Sequence, residues 1–141
     1  MKVHPYLNFD GNAEEAFLFY RSVFGGEFVA NMKMSGVPDG HTLSDEDQNR
    51  TMHIALPIGN DTLLMASDTV PSAGQTLQQG SQTYIMLSPE TKSEADRLFN
   101  GLSNGGEIEM KMEDTFWGDY FGSFIDKFGI RWMVDIAGEQ K

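Results

Sequence analysis

The chain has no cysteine among its 141 residues. This excludes a disulfide framework, thiolate chemistry and a cysteine-ligated zinc site, and it permits a reducing compartment. Positive charge is scarce as well: ten Lys and Arg stand against 21 Asp and Glu, for a formal net charge of -11. A surface of that sign repels phosphate backbones and anionic membranes, so neither nucleic acid nor membrane is an expected partner. No stretch of about 18 apolar residues occurs. The opening run Met1 to Phe9 lacks the basic start and apolar core of a secretion signal, so the expected location is the cytoplasm. There is no glycine-rich strand-turn-helix loop for a nucleotide-like cofactor and no recognisable hydrolase triad. No cofactor is expected.

What is present suffices for one globular domain. Apolar residues make up 40% of the chain, aromatics 11%, and there are nine methionines, enough to build a core without metal or disulfide help. At this length any internal duplication has to share that core.

A duplication is visible in the punctuation. Val3 to Phe9 reads as a strand. Asn12, with Glu15 three places on, reads as a capping box opening a helix whose apolar stripe is Ala16, Phe17, Tyr20, Val23 and Phe24, stopped by Gly25-Gly26. The order recurs in Tyr84 to Leu87, a capping box at Thr91 and Glu94, a stripe of Ala95, Leu98, Phe99 and Leu102, and a stop at Gly105-Gly106. Further strands are expected at 28–34, 52–58 and 62–67 in the first half and at 108–113, 122–126 and 131–136 in the second. Ser35 to Asn49 reads as a long polar loop, disordered in the free protein. Residues 71–82 read as a linker between module one (about 1–70) and module two (about 83–141). The fold class is therefore α+β, two tandem βαβββ modules.

Particular motifs carry a resemblance along nearly the whole chain. His4-Pro5-Tyr6-Leu7-Asn8-Phe9, Asn12-Ala13, Phe19-Tyr20 and Val23-Phe24-Gly25-Gly26-Glu27 lead the first half. Thr115-Phe116-Trp117-Gly118, Phe121-Gly122, Asp126-Lys127-Phe128-Gly129 and Trp132-Met133 follow in the second. In this order and spacing they resemble the PhnB-like branch of the glyoxalase/bleomycin-resistance/dioxygenase (vicinal oxygen chelate) superfamily. The resemblance implies curled mixed sheets around a central cavity, and often a homodimer.

It also implies where a metal would sit in the metal-dependent members: on the first and last strands of each module. His4 matches the first-strand histidine. The other positions supply Leu64 or Met65, Thr83 or Tyr84, and Met133, none of them a good donor for zinc, iron or manganese. The expectation is no metal, unless a one-residue shift in register brings Asp68 or Asp135 beside His4. His53 reads as a partly buried, hydrogen-bonded histidine among apolar neighbours, and His41 as an exposed one.

Alternation along the first strand puts Tyr6 and Asn8 on the face of His4. With Met65, Trp117, Phe121 and Met133 they form the candidate ligand pocket. The plainer alternatives are a core tyrosine, an edge-satisfying asparagine, and an aromatic run that serves as an interface. The methionines spread over the strands read as lining. The function expected is binding of an unidentified small molecule by a homodimer. The alternatives are a metal-dependent lyase, isomerase or dioxygenase, a methyltransferase, and an interaction scaffold.

Overall fold

The computed structural model describes residues 1–138. The chain divides into two compact units, Met1–Gln78 and Gln79–Lys141.

In the first unit the elements are β1 (Tyr6–Phe9), α1 (Ala13–Phe24), β2 (Ala30–Lys33), α2 (Asp45–Gln48), β3 (Thr51–Ile58) and β4 (Thr62–Asp68). The sheet is mixed, in the order β1-β4-β3-β2, with β1 parallel to β4 and the other pairs antiparallel. Helix α1 lies on β3 and β4. Its buried stripe of Ala13, Ala16, Phe17 and Tyr20 meets a core of Phe9, Ile54, Leu56, Leu64 and Ala66. Each large side chain removed from water there contributes about 1.5–3 kcal/mol, and Phe9, Phe17 and Tyr20 add edge-on ring contacts at 6.3 and 5.4 Å.

Two expectations are corrected here. Asn12 makes no side-chain cap on α1. The acceptor comes instead from the end of β4, where Asp68 Oδ1 receives the backbone N–H groups of Gly11 and Ala13 at 2.9 and 3.0 Å. The carboxylate thus takes the first N–H of the helix itself, Ala13, from outside the local sequence. Secondly, the polar segment expected to be disordered folds into 3-10 turns at Met34–Gly36 and Gly40–Thr42, followed by α2. Arg50 fastens it, donating to Asp10 Oδ1 at 2.9 Å and to the Thr69 carbonyl at 3.0 Å, with Asp47 Oδ1 3.5 Å from its Nε. Asp47 also accepts the Ser72 hydroxyl.

The second unit repeats the order as β5 (Ile85–Leu87), α3 (Lys92–Ser103), β6 (Glu107–Asp114), β7 (Tyr120–Ile125) and β8 (Arg131–Ile136). Its sheet runs β5-β8-β7-β6, again with one parallel pair, β5 and β8. Thr91 does cap α3, accepting the Glu94 N–H at 3.1 Å. Ala95, Leu98, Phe99 and Leu102 bury against Phe124, Trp132 and Val134. Gly122 is required at this contact: a Cβ there would fall 2.8 Å from the Phe99 ring and 2.6 Å from Met112 Sδ. Strand β7 begins at Tyr120, two residues earlier than expected, because Tyr120 and Phe121 pair with Ile136 and Asp135. The turn between β7 and β8 is built on buried Asp126, whose Oδ1 accepts the Phe128 and Ile130 N–H groups and whose Oδ2 accepts Trp132 Nε1 at 2.8 Å.

Candidate functional site

Because α1 covers one face of the first sheet, strand alternation decides what the opposite face presents. With Phe9, Ile54, Leu56, Leu64 and Ala66 committed to the helix side, Tyr6, Asn8, His53, Met65 and Ser67 project away from it. The register brings them together: Tyr6 is opposite Met65, Asn8 opposite Ser67, and Met32 opposite His53. Tyr6 is 48% exposed. Its ring stacks on His53 at a centroid distance of 5.8 Å and an interplanar angle of 19°, and its hydroxyl lies 3.2 Å from His53 Nδ1. From the sequence His53 reads only as an ordinary half-buried histidine. The available signal is its phase, one residue out of step with the core positions Ile54 and Leu56.

His4 stands just before β1, half-buried, and its Nδ1 accepts the backbone N–H of Leu63 at 2.9 Å. The imidazole thus continues the β1–β4 pairing by one rung, with one of its two nitrogens occupied.

In the second sheet the face away from α3 carries Met133, opposite both Met86 and Ser123, and Phe121, opposite Asp135 and Glu113. Charge is present on this face. Arg131 Nη1 is 3.3 Å from Glu109 Oε2, which also accepts the Tyr84 hydroxyl. Trp117 lies in the turn between β6 and β7, 52% exposed, with its ring 6.1 Å from that of Phe121. Asp119 closes this turn through its carbonyl, which accepts both the N–H and the hydroxyl of Thr115. Its carboxylate receives the Gly138 N–H at 3.0 Å, the contact that most lowers its pKa, with hydrogen bonds to Asp135 and Trp117 adding to the effect. Asp135 shifts upward, through burial first and then through its hydrogen bond with Asp119 and the charge of that carboxylate. On the helix side, the Tyr120 hydroxyl donates to Asp96 Oδ1 at 2.6 Å, and this bond is the first cause of its pKa rising to about 12.

The seven residues singled out from sequence therefore fall into two groups, His4, Tyr6, Asn8 and Met65 in the first unit, and Trp117, Phe121 and Met133 in the second. The carboxylates that could join His4 already have partners. Both Asp68 oxygens are engaged by backbone N–H groups, Oδ1 by Gly11 and Ala13 and Oδ2 by Thr51 at 2.8 Å. Asp135 is paired with Asp119. Among the described residues, no three His, Asp or Glu side chains group closely enough to hold an ion. No helix among them is long and apolar enough to cross a membrane.

The architecture defines an α+β protein of paired βαβββ modules. The model of the Glyoxalase/Bleomycin resistance protein/Dioxygenase superfamily matches residues 2–134, and the chain belongs to that superfamily. Protein YjdN of Escherichia coli is 30% identical over 148 residues, covering 99% of this chain and 98% of that one. The crystal structure of protein PA1353 from Pseudomonas aeruginosa superposes with a TM-score of 0.86 at 36% identity, covering 99% of both chains. A PhnB protein of Bacillus cereus, described as a putative 3-demethylubiquinone-9 3-methyltransferase, gives 0.77 at 24% identity, over 97% of this chain and 100% of that one. The fosfomycin resistance protein FosX of Listeria monocytogenes, with Mn(II) and sulfate bound, gives 0.60 at 11%, covering 99% and 93%. The last two are similar in fold.

Proposed function

We propose that this chain is a small-molecule-binding protein of the PhnB-like branch that works without a catalytic metal, with the face of the first sheet away from α1 as its ligand wall. The observation that carries this reading is the convergence of Tyr6, Asn8, Met65, His53 and Ser67, from three strands, on that face. An exposed aromatic ring, a few uncharged polar groups and methionine together suit a small, partly apolar molecule. The metal-free part rests on the engaged state of the nearest candidate ligands, His4 and Asp68.

Thermal melting in the presence of zinc, nickel, manganese or ferrous iron tests the second part. A ligand that binds only the folded chain at 100 times its Kd stabilises it by about 2.7 kcal/mol. Melting temperatures are expected to stay put, and a large saturable rise that disappears in His4→Ala would overturn the metal-free reading in favour of a metal-dependent enzyme. The methyltransferase description of the Bacillus cereus relative finds no support in this chain, which has no glycine-rich strand-turn-helix loop for a nucleotide-like methyl donor.

A further inference from the structure

The geometry points to Tyr6 and His53 acting as one oriented hydrogen-bonding unit that makes the first-sheet face selective for an uncharged ligand bearing a carbonyl or amide oxygen. This rests on the reading of that face as the ligand wall, and it adds which chemistry the wall accepts.

Tyr6 belongs to β1 and His53 to β3, with β4 between them, so their contact bridges two strands that are not neighbours in the sheet. The near-parallel rings and the 3.2 Å separation of the phenol oxygen from Nδ1 hold the imidazole in one orientation. With the phenol as donor, Nδ1 accepts a hydrogen bond from the Tyr6 hydroxyl and the ring proton resides on Nε2. Nε2 makes no hydrogen bond to another described residue. The Asn8 amide and the Ser67 hydroxyl on the same face are also unused by described residues. The wall thus offers directed N–H and O–H donors.

Formal charge is what it lacks. Along the face the side chains include Tyr6, Asn8, Ala55, Leu63, Met65, Ser67, His53 and Met32, none of them formally charged. Lys33 of β2 turns to the helix side, where its Nζ is 3.0 Å from Glu14 Oε1. An anion docked here would meet no cation to offset its charge, and the net charge of -11 opposes its approach. A carbonyl oxygen loses far less on leaving water and needs only one or two donors. Its apolar remainder can lie on Met32 and Met65, whose thioethers favour aromatic rings.

The test uses the full chain, labelled with nitrogen-15, and a matched pair of probes, benzamide and benzoate at neutral pH. Without any probe, the His53 ring nitrogens are expected to show the Nε2–H tautomer with Nδ1 accepting; a proton on Nδ1 would overturn the orientation. On titration, benzamide is expected to shift the backbone amides of Tyr6, Asn8, His53 and Ser67 saturably, and benzoate to bind at least about ten-fold more weakly, equivalent to about 1.4 kcal/mol. Tyr6→Phe should release the tautomer preference and weaken benzamide while melting close to wild type, a readout that a merely structural role would not produce. His53→Phe should weaken benzamide as well, because the Nε2 donor is lost. If both probes shift these amides and benzoate binds as well or better, the selectivity is wrong and the ligand wall stands. If benzamide leaves them unmoved at its solubility limit, the wall itself is misplaced.

Discussion

The two modules share an element order and a sheet order, yet they open their helices by different means. The parallel pair Phe9 and Asp68 in the first sheet occupies the place of Leu87 and Val134 in the second, since both pairs lie on the helix side at the end of a first strand. In module one that place holds a buried carboxylate, 3% exposed, which accepts three backbone N–H groups from the β1–α1 turn and from β3. In module two it holds a valine that packs in the core. That place therefore offers no acceptor, and α3 is capped from within its own sequence by Thr91. One frame tolerates either solution, provided that the first N–H groups of the helix find an oxygen.

This contrast sets the largest expected effect. Asp68→Ala leaves the buried N–H groups of Ala13 and Thr51, and the part-buried one of Gly11, without their acceptor, and each buried donor left unsatisfied costs about 1–3 kcal/mol. Chemical unfolding should show that loss. A cost no greater than that of removing an ordinary helix cap would mean that Asp68 does not hold module one together, and the comparison would fail at its root. Thr91→Ala is expected to cost only about 1 kcal/mol, the usual worth of a threonine cap. If it cost as much as Asp68→Ala, the two ways of starting a helix would be energetically equivalent despite their different geometry.

The same pair of helix starts shows what was legible in the sequence. Glycine pairs, capping residues and apolar stripes recur locally, so both helices and most of the strands could be placed from pattern alone. The cap at Thr91 was readable because donor and acceptor are three residues apart. The cap at α1 was not, because its acceptor arrives through tertiary structure from the far end of β4, and Asn12 only had the right chemistry in the right place. Arg50 gives a similar lesson. Its bonds to Asp10 and the Thr69 carbonyl order a segment whose polar composition reads as disordered. At the candidate site, alternation along β1 placed Tyr6 and Asn8 on one face, but the partner of Tyr6 was hidden. His53 meets it only once β4 is inserted between β1 and β3, and strand order is not written in a local pattern.

The faces away from the helices differ as well, and the smallest expected effect probes that difference. The module-one face has no formally charged side chain among those named, whereas module two sets Asp135 against Asp119 beside the Trp117 turn. Asp135 binds its proton more tightly in the folded chain than in the unfolded one. Its contribution to stability is therefore present below the ordinary carboxylate value of 3.8 and is lost as pH rises through the raised one. Asp119 has the opposite sign: its pKa is lowered, so its contribution is present above 3.8 and is lost as pH falls through the lowered value. Asp135→Asn supplies an N–H donor to Asp119 at every pH, which removes the penalty that wild type acquires on ionising both carboxyls. Melting followed from acid to neutral pH should show the variant gaining on wild type as pH rises above 3.8. The gain is expected to be small, because solvent screens accessible carboxylates. A difference between the two proteins that stays constant across that range would show that Asp119 and Asp135 ionise independently, and the charged pair would then not set the module-two face apart from its uncharged counterpart.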